Sequence, residues 1–332
     1  ENSTASREYH EIDGGIKTCM YAGYPDLYMQ FSKKNEFIFQ PDWYRGVEYP
    51  KEQERGYASN EDLYVPGYFE MPIKKGESII FSGSTSQIKT SSLKKLWEEE
   101  VEDRKPRDNF YNILLCAAHQ FHFRDRRSGT MEKIDKKDDR YLLAGYPWFK
   151  ARARDTFIAL PGLTLAIDER DYFELVMRTA EKGLREFMEG KPLSVKIYEI
   201  EQPDVPLWAI WAIQQYVKDA GKEEGYQRYG KLVSDIVDYI IKGGHPNLRL
   251  DENGLLYSNG RDKAVTWMNS TANGRPVVPR SGYIVEFNAL WYNALKFCAL
   301  MAAEKGDAKG AEKLEALAQK TKASFVETFV NE

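Results

Sequence analysis

The chain has 332 residues, with 47 Lys and Arg against 51 Asp and Glu and a net charge of −4. Such a length suits roughly two domains of about 100–200 residues each, and so even a balance of charge excludes the basic field that nucleic acid or an anionic membrane would demand. Aromatic residues make up 13%, including 21 Tyr and 7 Trp; such rings fill a core or stack on the apolar faces of sugars, and a neutral partner fits best.

Cys19, Cys116 and Cys298 are odd in number and include no C-x-x-C pair, so no disulfide framework is expected. His119 and His122 stand close in sequence, but no acidic or thiol companion lies beside them at zinc-site spacing. No metal and no cofactor is expected. No apolar run reaches the roughly 18–20 residues of a membrane span, and no signal-peptide core opens the chain, so no membrane contact is expected and the cytoplasm is the expected compartment.

From residue 9 to about 81, short apolar runs are broken by turn residues such as Gly14-Gly15, Pro25-Asp26, Gly46, Pro66-Gly67 and Gly76. This punctuation predicts a β-rich module. The charge-dense stretch 98–108 reads as a solvated helix and a junction, which places a β-rich domain at 1–107 and a second domain at 108–332. Asp108 is a candidate N-cap for a helix whose apolar face holds Phe110, Ile113, Leu114 and Ala117. Segments 121–124 and 141–145, separated by a polar turn, suit a β-hairpin.

Beyond this hairpin the pattern turns helical, with candidate helices at 155–166, 170–188, 205–219, 224–242, 285–304 and 308–330. In the fourth, Leu232, Val233, Ile236, Val237, Ile240 and Ile241 form one apolar stripe. Repeated amphipathic helices suggest hairpins packed in layers, and periodicity alone does not separate a solenoid, a bundle and a helical toroid.

Two loops concentrate residues that packing does not demand. In 145–156, Trp148 and Phe149 precede Arg152, Arg154 and Asp155; Asp155 serves either as a helix N-cap or, beside Arg154, as an acceptor for sugar hydroxyls. The stretch 266–286 is long for a structureless loop and holds Trp267, Asn269, Arg275, Arg280 and Glu286; the last sits at a helix start, where the dipole favours a carboxylate whatever its other role. In a smaller segment, 201–208, Asp204 and Pro206 suffice to explain a helix start, and Trp208 is either core or platform. Glycoside hydrolysis needs two carboxyl groups flanking the scissile bond. Glu201, Asp204, Asp262 and Glu286 are available, and no spacing rule pairs them.

These segments resemble the glycogen debranching family, specifically its amylo-α-1,6-glucosidase half. WYRGVEYPKEQERGYASNEDLYVPGYFE, from residue 43 to 70, is similar to that family's N-terminal signature. AGYPWFKARARDT resembles its AGYPWF…GRDT segment, PDVPLW its DAPLWF element, and VTWMNSTANGRPVVPRSGYIVEFNALWYNAL its TWMD…TPR…VEINALWYNAL block.

The resemblance implies a β + α chain, an N-terminal β-sandwich-like domain followed by part of an (α/α)6 toroid, acting on α-glucan by inverting hydrolysis of α-1,6-linked glucose at branch stubs. Arg154 and Asp155 would bind the terminal glucose, with Asp204 and Trp208 near it; Trp148, Trp267 and Arg280 are the further candidate substrate-binding residues and Glu286 a catalytic candidate. Two positions depart from the pattern. Ala153 replaces the glycine of GRDT, and Asn269 replaces the aspartate of TWMD, the expected general acid; an amide has no proton to deliver to a leaving oxygen. The alternative is therefore a glycan-binding module with a degenerate site. A complete toroid needs more helices than follow residue 108, so the chain is expected to continue beyond Glu332, to have the rest of the same protein as partner, and to be inactive alone. Asn269, Asp155 and Glu286 are expected to converge.

Overall fold

The computed structural model describes residues 4–104, 106–124, 139–145 and 149–330. By contact the chain forms two compact units, Glu1–Pro106 and Arg107–Glu332.

The first unit is built from strands. In chain order they are β1 (Tyr9–Ile12), β2 (Gly15–Thr18), β3 (Leu27–Phe31), β4 (Glu36–Glu48), a short helix α1 (Pro50–Glu54), β5 (Asn60–Glu70) and β6 (Phe81–Ser84), followed by the helix α2 (Leu93–Asp103). A four-stranded sheet has the order β1-β2-β3-β6, and β4 and β5 pair as a long antiparallel ribbon. Gly14, at φ 74°, makes the turn between β1 and β2. Rings join the sheet to the ribbon: Tyr9 lies 4.9 Å from both Phe37 and Phe39, and Phe31 lies 4.8 Å from Phe69. The ribbon's register shifts between Phe39 and Asp42 and again between Tyr44 and Val47, irregularities that bend a strand pair. Fully buried Gln30 satisfies its amide on the backbone of Asp13 and Ile88. The solvated helix expected at 98–108 runs instead from Leu93, with Lys94–Glu98, Lys95–Glu99 and Glu100–Arg104 pairs along its exposed side.

The second unit opens with α3 (Phe110–His119). Its cap is Asn109, whose side chain accepts the Asn112 N–H, and not Asp108 as the sequence suggested; Asp108 accepts the side-chain amides of Asn109 and Asn112 instead. β7 (His122–Arg124) and β8 (Arg140–Leu142) pair antiparallel, as the hairpin pattern predicts. Then come α4 (Ala153–Leu163), α5 (Arg170–Met188), α6 (Val205–Ala220), α7 (Lys222–Ile241), β9 (Leu248–Leu250), β10 (Leu256–Ser258), β11 (Thr271–Ala272), β12 (Arg275–Pro276), β13 (Gly282–Tyr283), α8 (Val285–Glu304) and α9 (Ala308–Phe329).

These helices form hairpins in two layers. α6 packs against both α4 and α8. Arg154 at the start of α4 bonds Asp204 at the start of α6, so those two helices run parallel. Lys222, two residues past the end of α6, lies 2.6 Å from Glu304 at the end of α8, and Gln214 and Asn293 exchange hydrogen bonds midway, so α8 runs the same way. α5 and α7 return alongside each other, tied by Glu174–Arg228 at 2.7 Å and Asp235–Arg185 at 2.9 Å. The core lies between the layers, around Phe157, Phe173, Met177, Ile213, Ile236 and Trp291, all fully buried. Each such side chain stabilises the fold by about 1.5–3 kcal/mol of transfer free energy. The outcome of the parallel arrangement is that the N-termini of α4, α6 and α8 share one end.

Candidate active site

At this shared end Arg154 and Asp155 lie in the first turn of α4, Asp204 at the start of α6 and Glu286 in the first turn of α8. The backbone of 151–153 pairs with Tyr198, through Tyr198 N–H to Ala151 O and Ala153 N–H to Tyr198 O, both 2.9 Å, and this strand-like register sets the start of α4. Arg152, in extended backbone, is the N-cap of α4. Of the two roles open to Asp155, the N-cap is therefore not taken: it lies in the first helical turn, exposed, where the dipole favours its charge.

One position before it, Arg154 turns inward. Its Nε and Nη2 donate to Asp204 Oδ2 and Oδ1 at 2.6 and 2.9 Å, with side-chain exposures of 8% and 3%. Asp204 occupies the N-cap position of α6, yet its side chain does not cap the helix. Both its oxygens go to Arg154, and Oδ2 also accepts the Trp208 indole N–H at 3.2 Å. Burying two charges is tolerable only with such bidentate geometry. Trp208 is half-buried, edge-on to Trp211 with centroids 5.6 Å apart, so it serves both as packing and as a ring presented at the edge of the core. Beside the Tyr198 segment runs a groove of about 720 Å3 whose lining includes Phe149, Arg152, Tyr198, Glu199 and Glu201.

The 266–286 stretch is not structureless. β11 and β12 form a small hairpin, and β13 joins β10 and β9 in a three-stranded sheet. That sheet is locked to α8 by Asn288, which is fully buried: Oδ1 accepts Leu256 N–H at 2.7 Å and Nδ2 donates to Leu256 O and Ile284 O at 3.1 Å. Gly260 lies against the backbone of Arg280, where a Cβ would fall 2.0 Å from the Arg280 carbonyl oxygen; the close approach requires glycine. So fixed, Arg280 donates from Nη1 and Nη2 to the two oxygens of Glu286, the second at 2.9 Å. Glu286 sits in the first turn of α8, half-buried. Trp267 and Asn269 stand exposed on the segment leading into β11. Trp148 lies outside the described residues.

Arg154, Asp204 and Trp208 are thus brought into direct contact, and so are Arg280 and Glu286. A pairing that sequence reading missed lies elsewhere. Glu169, the residue before α5, reaches His119 and His122: His119 Nε2 is 2.5 Å from its Oε1 and His122 Nδ1 is 3.5 Å from its Oε2. The acidic companion absent from the local spacing is supplied by the fold from 50 positions away. Burial is the main cause pushing the His122 pKa below its ordinary value.

Carboxylates, guanidinium groups and indole rings at one end of a helical layer suit a neutral, polyhydroxylated ligand. Sequence comparison agrees. The amylo-alpha-1,6-glucosidase family model matches residues 117–332, and the glycogen debranching enzyme N-terminal model matches residues 1–80. The chain belongs to the glycogen debranching enzyme family, and its domains point to a glycoside hydrolase of the debranching type acting on glucan. No curated protein matches it. Among the described residues no helix is long and apolar enough to cross a membrane.

Proposed function

We propose that this protein is an amylo-α-1,6-glucosidase that removes α-1,6-linked glucose at glycogen branch stubs with inversion, in the cytoplasm. Residues 1–107 form its β-rich, sandwich-like N-terminal part and 108–332 a catalytic part built as a portion of an (α/α)6 toroid. The observation that carries the reading is the common end of α4, α6 and α8, where Arg154, Asp204 and Glu286 all lie at helix N-termini.

The roles follow from the chemistry of each group. Arg154, held by Asp204, and exposed Asp155 hydrogen-bond the hydroxyls of the terminal glucose. Trp208, Trp148 and Trp267 offer ring faces for sugar stacking. Arg280 orients Glu286. Inverting hydrolysis sets one carboxyl group to protonate the leaving oxygen and a second to activate water on the opposite face. Asn269 occupies the position of the first.

A second reading is a glycan-binding protein with a degenerate site. Asn269 favours it, because its amide cannot act as an acid, and so does Glu286, both of whose oxygens are engaged as acceptors by Arg280. The two readings part in an assay of the full-length protein for glucose release and for binding with an α-1,6-branched limit dextrin. Glucose released as the β-anomer supports the inverting hydrolase; saturable binding without release supports the binder. Absence of both rejects glucan as the ligand.

A further inference from the structure

His119, at the end of α3, and His122, in β7, meet Glu169 at the start of α5. Their ligand-type atoms all lie within 4.8 Å of one another. Around a tetrahedral ion with bonds of about 2.0–2.1 Å, ligand atoms sit roughly 3.3 Å apart; His122 Nδ1 is 3.5 Å from Glu169 Oε2, and His119 Nε2 is hydrogen-bonded to the other oxygen at 2.5 Å, a contact that an ion would open.

The tautomer of His122 adds a second, independent argument. Its Nε2 lies 2.8 Å from the Leu163 carbonyl oxygen, which can only accept, so the ring proton is on Nε2. Nδ1, the other ring nitrogen, then stands 3.5 Å from Glu169 Oε2. A histidine that ligates through one nitrogen while donating the other N–H to a backbone carbonyl is the usual outer-shell arrangement at metal sites. Tyr172 stacks on the same ring at 4.0 Å and holds its plane.

We propose that His119 Nε2, His122 Nδ1 and a Glu169 carboxylate oxygen bind a divalent first-row transition-metal cation, best matched by zinc, with water in the fourth position. Imidazole and carboxylate donors in this number suit zinc and exclude a calcium-type cage of oxygens. The site's place in the fold sets its role. Arg170, beside Glu169, bonds Asp219 near the end of α6, so this end of the layer is opposite to the one holding Arg154, Asp204 and Glu286. The ion is a structural clip that joins α3, β7 and α5, and it takes no part in the chemistry at the other end.

The test uses the untagged, metal-stripped chain, titrated with zinc by calorimetry and with cobalt(II) by absorption. One equivalent of zinc is expected at micromolar affinity or tighter, with the d–d bands of tetrahedral cobalt and a rise in Tm of roughly 5 °C or more at saturating zinc. His119→Ala and Glu169→Gln, both at positions about one-third exposed, are expected to weaken binding at least about tenfold while circular dichroism shows the fold kept. The exposed histidine of β1 supplies the control: His10→Gln is expected to leave binding unchanged. Millimolar binding only, a hexa-aqua cobalt spectrum, binding that survives both substitutions, or binding lost in His10→Gln each overturns the site. None of these outcomes bears on glucan hydrolysis or binding, which is measured separately.

Discussion

Arg154 holds Asp204 by two hydrogen bonds, at 2.6 and 2.9 Å, across 50 positions of chain and almost wholly out of water. The pair fixes α4 parallel to α6 and aligns the helix N-termini, so its integrity sets the geometry of the whole end.

Removing one partner leaves a buried charge uncompensated. Asp204→Ala is expected to destabilise the protein by about 3–5 kcal/mol, and Arg154→Ala by a similar amount. The double variant is expected to lose much less than the sum, because neither charge is then stranded. Urea unfolding of the single and double variants measures the coupling; additive losses would contradict the pairing.

Asn288 is the link between the three-stranded sheet and α8. Asn288→Ala leaves the Leu256 N–H and carbonyl without their partner, at about 1–3 kcal/mol for each unsatisfied group. The same variant is expected to weaken oligosaccharide binding, since β13 leads directly into the turn that carries Glu286. Calorimetric titration with a branched oligosaccharide, compared with urea unfolding of the same variant, checks both effects. Lost stability with binding unchanged would separate the sheet from the site.

His245 gives the fold a pH dependence of known sign. It is 2% exposed, packed edge-on against Phe187, and accepts the Asn247 N–H on Nδ1. Burial lowers its pKa to about 4, while the backbone of Glu201 and Gln202 opposes the shift more weakly. The folded state resists the proton that the unfolded state takes up near pH 6.5. The contribution is therefore fully present above that pH and is lost as pH falls toward about 4. The loss has a limiting slope of about 1.4 kcal/mol per pH unit. Stability measured from pH 7.5 to 4 is expected to fall less steeply in His245→Phe than in the parent. Parallel curves would show that the imidazole takes up its proton alike in the folded and unfolded states.

In the full-length protein, Asn269→Asp is expected to raise glucose release from branched dextrin by about 10²–10⁴-fold, the usual contribution of a general acid. Glu286→Gln is expected to abolish release or to weaken binding by breaking the Arg280 pair. If Asn269→Asp leaves the rate unchanged while Glu286→Gln removes it, the acid is Glu286 or a group that depends on it. If neither substitution alters a rate but both weaken binding, the protein is a glycan binder.

Periodicity alone located the helices, because burial of one face repeats every turn and leaves its mark in adjacent residues. The spans 170–188 and 285–304 read from the sequence coincide with α5 and α8. Helix ends were less legible where a tertiary contact took over the local signal. Asp204 looked like a cap and is held by Arg154, and Asp155 looked like a cap while Arg152, fixed by the backbone pairing with Tyr198, begins the helix. Motif resemblance pointed to the family through Arg154, Asp204 and Glu286, but the partner of each was not written in spacing. Arg154 with Asp204 and the two histidines with Glu169 are meetings of residues on different elements. Such contacts follow from how helices pack in parallel layers, and they leave no periodic trace in the chain that makes them. The sequence therefore determined which segments are strands or helices and to which family they belong, and only the tertiary packing decided which charges meet.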